Sequence, residues 1–470
     1  MTPITGHKWL DDGLENCGDV IVQKLEANGN GIILAYTPSL IDGVLLTQTI
    51  LPRIQASLEN GVDYQASYPV ERLPYDTDSD RKQVVSKLFS GNLLLFREDR
   101  IQAFSIADVP GRQPEESNSE LSIKGPRDGF VEEMAVNLGL IRKRLKTTHL
   151  KVEIFTIGTE TGIEMAFLYL EGTTKPELVK EGRKRLENLR VRTVNGAAQV
   201  EEMLGDRSVS LFPLIDYAGR PDSAVDALMN GSLIFMLDGS PLVYLAPSNL
   251  FSLLRSPEDN YLPYHFVTVE KLVRSFALVA TIFLPGFWVS VSAYNVDQIP
   301  FPLLSTIVLS RVGLPVSATI EMLLMLALFE VFREAGVRLP KAVGQTIAVV
   351  GGIIVGEAAI QAGFTSPTML VIVSLTIVAS FTLVNQSLYG AVTIMRLLVL
   401  LLCMVFGMYG FFLAMMAVLT YLGSIRSFGQ PYLYPLGPLD LKKAISTFFR
   451  LPARFAQGPY HPQKKKKSGK

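Results

Sequence analysis

From about Lys271 to Leu422 the chain is almost continuously apolar, with only about a dozen Asp, Glu, Lys or Arg residues. Within it, VGQTIAVVGGIIVGEAAIQA (343–362) carries one charge in twenty residues, and SPTMLVIVSLTIVASFTLV (366–384) carries none. At about 1.5 Å per residue, each reaches across a hydrocarbon layer about 30 Å thick. A water-soluble enzyme has no use for such runs in series. The first 270 residues are instead rich in charged side chains, so 48% apolar residues and zero net charge average two unlike halves. The expected fold is a soluble α/β head of two α/β subdomains followed by an α-helical polytopic transmembrane domain.

The opening residues, MTPITGHKWLDDGLENCGDV, lack the basic and apolar regions of a cleavable signal peptide. Insertion is then expected to rely on the internal segments, leaving the head in the cytoplasm. Cys17 falls in the head and Cys403 in the apolar region, so no disulfide framework is expected. Four lysines, Lys464 to Lys467, form either a solvated tail or a segment that senses anionic lipid.

In the head, GIILAY (31–36) reads as a strand and SLIDGVLLTQTILPRIQ as the helix after it. NLLLFRE and IQAFSI read as a hairpin split at Asp99 and Arg100. DVPGRQPEESNSE (108–120) has no apolar period and reads as a linker. Beyond it, Phe130, Met134, Leu138, Ile141 and Leu145 recur at helical spacing, with Asp128 as the expected N-cap. Two strands, LKVEIFTIG and EMAFLYLEG, a helix at 175–189, a helix at PDSAVDALMNG and a hairpin turning at Asp238-Gly239 complete the head. No internal repeat is evident in it. The expected boundaries are 1–120 for the first subdomain and linker, 121–270 for the second, 271–423 for the transmembrane part and 424–470 for a cytoplasmic tail.

The first span is expected over about 273–294, with Pro285 inside. The run at about 314–332 holds Glu321 and Glu330 and makes a poor lipid-facing helix. The last run, 389–422, has 34 residues, with Asn385 to Ser387 and the glycines at 407 and 410 as candidate breaks. Arg333, Arg338 and Lys341 pull one loop inward, and the lysine tail pulls the C-terminus inward. Five simple crossings with the head inside cannot meet both pulls, so four crossings plus a re-entrant or interfacial segment near 301–332 are expected, with both termini cytoplasmic.

Catalytic chemistry finds no foothold. The four histidines, His7, His149, His265 and His461, have no second ligand at metal spacing, and no GxSxG, Walker loop or HExxH is present. Neither an enzyme, a cofactor, a metal site nor a nucleic-acid partner is expected. The carboxylates in the apolar region matter more, because one at the centre of a membrane helix costs about 2.5–3.5 kcal/mol on insertion scales. At 100° per residue, Thr346, Val350, Ile353, Glu357 and Gln361 form one narrow stripe, polar at both ends. Gly352 and Gly356 form a small-xxx-small pair on another face, suited to close helix packing. Around an axis, Val350 and Ile353 would make a dry constriction and Glu357 a carboxylate ring that favours cations. Alternatively Glu357 pairs with Arg396 or Arg333 and only holds the bundle. Glu321 and Glu330 lie on opposite sides of their helix, and Glu330, Arg333 and Glu334 read as an ion cluster at a helix end.

PGRQPEE (110–116), GPRDGFVEE (125–133), LIRKRLK (140–146), RPDSAVDALMNG (220–231), REAGVRLPKAVGQTI (333–347), GEAAIQAGFTSP (356–367) and SIRSFGQPYLYPLGP (424–438) together resemble the GerA family of spore germination receptor A subunits. The resemblance runs in order from about residue 30 to 440. It implies a cytoplasmic two-part head on the spore inner membrane, a complex with a transporter-like B subunit and a lipoprotein C subunit, and assembly of the A subunit into a homo-oligomeric, ligand-gated ion channel. Where relatives tend to show a Pro-Ser-Tyr kink, this chain has Val384-Asn385-Gln386-Ser387. The accessory protein of the dipicolinic-acid channel shows similar motifs, so a non-conducting membrane scaffold stands as the alternative. A secondary transporter would need paired broken helices in an inverted repeat, and the sequence shows no such symmetry.

Overall fold

Strands such as GIILAY and NLLLFR are apolar at successive positions, and alternate side chains of a strand point to opposite faces, so both faces of their sheet need covering. The computed structural model describes residues 9, 14, 17–27, 30–60, 70–74, 77–97, 100–108, 124–159, 162–189, 191–192, 197–207, 210–338, 356–437 and 439–450. The chain divides into two units, Met1–Val209 with Leu214–Ser248 and Gln457–Lys470, and Ser210–Pro213 with Asn249–Ala456.

The first unit holds two five-stranded antiparallel sheets. β1 (Ile21–Ala27) and β2 (Asn30–Tyr36) form a hairpin. A helical stretch then opens at Gly43–Leu45 under an Asp42 N-cap, widens into a π turn over Leu46–Ile50 and continues as α1 (Leu51–Asn60). The wide turn sits just ahead of Pro52, which has no N–H for the next helical bond. After β3 (Val70–Leu73), α2 (Asp78–Leu88) starts in a capping box between Thr77 and Asp80. β4 (Asn92–Arg97) and β5 (Arg100–Ser105) close the set. Arg97 pairs with Arg100, so the expected hairpin is present and Arg100, expected between the strands, belongs to β5. Ile33 and Ala35 of β2 pack with Val84 and Leu88, and Ile32 and Leu34 pack with Leu46, Ile50 and Ile54. The expected linker at 108–120 lies outside the described residues beyond Asp108.

The second sheet repeats the plan. α3 (Met134–Arg144) precedes the hairpin of β6 (Leu150–Ile157) and β7 (Ile163–Leu170). α4 (Pro176–Glu187), α5 (Ala197–Leu204), β8 (Asp216–Ala218), α6 (Pro221–Met229), β9 (Leu233–Leu237) and β10 (Val243–Ala246) follow. Both sheets place their strands, counted along the chain, in the order first, second, fourth, fifth, third. The two halves thus share a strand order although the sequence shows no repeat, because a likeness in strand pairing leaves no residue-level period.

The expected N-cap of α3 is also corrected. Asp128 holds Arg144, whose Nη2 lies 2.7 and 2.6 Å from its two oxygens. Before the helix, the Phe130 N–H donates to Gly219 O at 2.9 Å, and Glu133 is extended. The Met134 N–H instead donates to Asp238 Oδ1 at 3.0 Å, so a residue 104 positions away caps the helix. Asp238-Gly239 opens the β9–β10 turn as expected, in a loop that runs to β10 at Val243.

The two sheets are tied together. The Gly18 N–H donates to Val152 O at 2.7 Å. Arg142, fully buried, donates from Nε and Nη2 to Asp19 at 2.6 and 2.8 Å, and to the carbonyls of Thr147 and Leu150 at 2.8 and 3.1 Å. Its guanidinium also lies 4.0 Å from the ring centroid of Phe89, a core residue under the first sheet.

Several buried acids of this unit predict an alkaline weakness. Burial raises the Cys17 thiol above its ordinary value of 9.0 and the Tyr244 phenol above 10.0. Burial, with a hydrogen bond to Glu153, raises Tyr169 as well. The folded chain therefore holds these protons more tightly than the unfolded chain does. Their contribution is complete below the ordinary values and is lost as pH rises through the raised ones. The unfolding midpoint of the full chain is expected to fall as pH rises above about 9. A thermal melt followed by near-ultraviolet circular dichroism checks this, and a flat midpoint from neutral pH to about pH 11 refutes it.

The second unit is helical. α7 (Tyr264–Val289) runs into a π turn over Ser290–Tyr294, and α8 (Phe301–Arg311), α9 (Ala318–Arg338), α10 (Pro367–Phe381), α11 (Gln386–Ser424) and α12 (Leu441–Phe448) follow. Helix also covers 356–361. Among the described residues, Tyr264–Tyr294 and Gln386–Ser424 are long and apolar enough to cross a membrane. The first begins nine residues before the expected start at 273, because the charged YHFVTVEKL segment continues the same helix. α11 starts under an Asn385 cap and breaks at Gly407, where φ is 55° and ψ −134°. A Cβ there would sit 2.8 Å from Tyr294, so glycine serves both the backbone and the approach. Gly286 of α7 likewise lets Val399 and Cys403 of α11 come close. Phe212, from the short Ser210–Pro213 piece, is buried between Tyr421 and Tyr432, and the Leu211 N–H donates to the Tyr421 hydroxyl at 2.9 Å.

Candidate functional site

Charges among apolar helices need partners, so they mark the places where the second unit is held or can switch. Glu321 lies in the first turn of α9 and is fully buried. Its position suits the positive end of the helix dipole. Oε1 accepts from the Ser366 N–H at 2.6 Å, the Ser366 hydroxyl at 2.8 Å and the Thr365 hydroxyl at 3.0 Å. Oε2 has Arg311 Nη1 at 3.1 Å, an ion-pair contact outside hydrogen-bonding geometry. Arg311 ends α8, and Ser366 caps α10 by accepting from the Met369 N–H. One carboxylate thus fastens three helices. A cleft of about 370 Å³ opens beside Arg311, lined on its apolar side by Ile299, Ile307 and Val308.

A second cluster lies further along α9. Glu330 accepts from both Nε and Nη2 of Arg333, and Arg396 Nη2 of α11 approaches its other oxygen at 3.4 Å. Arg396 is only 5% exposed, and its Nη1 has no hydrogen-bond partner among the described residues. Arg333 also lies over Tyr389 of α11, 4.0 Å from the ring centroid. The expected pairing of Glu330 with Arg333 is present, and Arg396 joins it from another helix.

Of the stripe read from the sequence, Thr346, Val350 and Ile353 lie outside the described residues, as does Gly352. Glu357 and Gln361 are exposed on one helical turn, with Gln361 Nε2 3.3 Å from Glu357 Oε1. Gly356 is buried, and a Cβ there would meet Leu370 of α10 at 3.3 Å. The Arg311–Glu321–Ser366 cluster was not foreseen. Its one sequence signal is Ser366-Pro367, a cap followed by a first-turn proline.

A chain that carries two like α/β sheets and then long apolar helices fastened by internal ion pairs falls in the class of two-part proteins with an α/β portion and a membrane-type helical portion. The chain belongs to the family described as Bacillus/Clostridium GerA spore germination protein, which matches residues 8–459. It is 38% identical over 449 residues to spore germination protein XA of Bacillus anthracis, covering 93% of this chain and 91% of that one. It is 30% identical to spore germination protein KA of Bacillus subtilis strain 168, covering 92% and 81%, and 30% identical to that strain's uncharacterized membrane protein YfkQ, covering 93% and 86%. Among solved structures, the N-terminal domain of the A subunit of the Bacillus megaterium spore germinant receptor GerK3 aligns over 51% of this chain and 92% of its own, at 22% identity and a TM-score of 0.37.

Proposed function

We propose that this chain is a multi-pass membrane subunit of a spore germinant receptor that turns nutrient sensing into germination by oligomerising into a ligand-gated ion channel. The observation that carries the reading is family membership across nearly the whole chain, residues 8–459. Two helices long and apolar enough to cross a membrane support it. In this reading residues 1–270 form a cytoplasmic head, 271–423 lie in the spore inner membrane and 424–470 return to the cytoplasm. The partners are a transporter-like B subunit and a lipoprotein C subunit.

Thr346, Val350, Ile353, Glu357 and Gln361 line the conducting path in this reading, with Gly352 and Gly356 packing against a neighbouring helix. Support comes from Glu357 itself, which is exposed, while Arg333 and Arg396 are engaged by Glu330. Glu357→Gln keeps the side chain's size and removes its charge. Reconstituted chain carrying it is expected to lose about 3-fold to 10-fold in cation-over-anion preference at unchanged expression. Normal selectivity in the variant would remove Glu357 from the path. A non-conducting scaffold that organises receptor or dipicolinic-acid channel subunits is the second reading, favoured by the ion pairs that fasten α8, α9, α10 and α11. Absence of any flux from fully incorporated wild-type chain selects it.

A further inference from the structure

We propose that α12 lies in the headgroup layer of an anionic bilayer and fixes the depth of α7. This rests on the membrane reading above and adds a lipid-binding surface to it. The sequence LKKAISTF puts Leu441, Ala444, Ile445 and Phe448 on one stripe about 100° wide. Half of that stripe is used within the protein: Ala444 is buried, and Phe448 meets Phe251 edge-on with ring centroids 5.4 Å apart. The other half faces outward, with Leu441 65% and Ile445 54% exposed. Leu439 and Phe449 extend the exposed patch at either end.

Two contacts set where this patch stands. The Arg450 N–H, just after α12, donates to Thr268 Oγ1 of α7 at 3.1 Å, and Phe251, the partner of Phe448, lies in the short helix Leu250–Leu253. Tyr264, Phe266 and Val269, in the opening turns of α7, are exposed as well. The patch therefore sits beside the end of a helix that can cross a membrane, at the level where that helix would leave the hydrocarbon.

Charge selects the occupant. Residues 441–470 contain nine Lys or Arg and no Asp or Glu. Asp440, the acid just before them, is used as the α12 N-cap. So basic a segment repels a second copy of itself, whereas each Lys or Arg near an anionic leaflet strengthens binding about fivefold. A short amphipathic helix that opens so basic a stretch of sequence matches an anionic lipid interface.

Hydrogen exchange across 441–448 tests this in the full chain carried in nanodiscs, one set of phosphatidylcholine alone and one containing about a third phosphatidylglycerol. The α12 amides are expected to exchange at least about tenfold more slowly in the anionic discs. That difference should shrink at high salt and vanish in the double variant Leu441→Gln, Ile445→Gln, while exchange in α11 stays unchanged. Equal exchange in both disc types overturns the proposal. Protection that persists in detergent and grows with protein concentration gives the face to a second copy and overturns it too. Failure of the chain to enter discs at all sinks the membrane reading instead, which keeps the two claims separable.

Discussion

Asp19→Ala is expected to destabilise the α/β unit by about 3–5 kcal/mol, the usual loss when one partner of a buried ion pair is removed. The size follows from what stays behind. Arg142 is fully buried and cannot shed its proton, and its Nε and Nη2 both spend hydrogen bonds on Asp19. Its contacts to two carbonyls and the Phe89 ring carry no countercharge. Replacing both partners, with Asp19→Leu and Arg142→Met, should recover much of the loss, because the site then holds no charge. Hydrogen exchange at the β6 and α3 amides of the full chain measures both effects. Wild-type protection in Asp19→Ala would mean that water reaches the guanidinium and that the sheets are joined by backbone contacts alone.

The second large effect is expected from Glu321→Ala. That change strands Arg311 and removes the acceptor of three donors: the Ser366 N–H and the Thr365 and Ser366 hydroxyls. A loss of about 3–5 kcal/mol is expected, seen as a sharp drop in monodisperse protein in detergent. Glu321→Gln is the informative companion. Its amide oxygen can still accept from Ser366, yet it cannot neutralise Arg311. If Glu321 acts mainly as a cap for α10, the Gln variant should resemble wild type. If the ion pair dominates, it should resemble Ala. Wild-type yield from both variants would exclude the cluster as the fastening of α8, α9 and α10.

How much of this was legible depends on the distance over which each feature is decided. β4 and β7 announce themselves through apolar runs, β5 and β6 through alternating apolar residues, and α4 and α6 through proline at the first turn and spaced apolar residues. β1 (IVQKLEA) and β3 (VERL) went unread because they are edge strands, where polar residues are tolerated and the pattern is weak. α2 was missed for a similar reason, since DSDRKQVVSKL offers the core little beyond Val84 and Leu88. The Asp238 cap on α3 and the Arg142–Asp19 pair join residues more than a hundred positions apart, and no local spacing can report them. In the helical unit, the cost of buried charge correctly drew attention to Glu321 and Glu330, but not to which elements satisfy them. Gly407 was visible as a candidate break because glycine leaves helical geometry cheaply, but Gly410, an equal candidate in the sequence, stays helical.

The Asp19–Arg142 pair also sets a schedule. Its partners are 123 residues apart, and the ribosome makes the Asp19 half first. The first sheet has all five of its strands by Ser105, so it can assemble while the second is still being synthesised. Until α3 arrives, the Asp19 carboxylate stays in water and the Phe89 ring lacks its cover. Completion of the first half therefore waits on the second. A chain released between the two is an early-made half with an open seam, the kind of intermediate that a nascent-chain chaperone would have reason to hold.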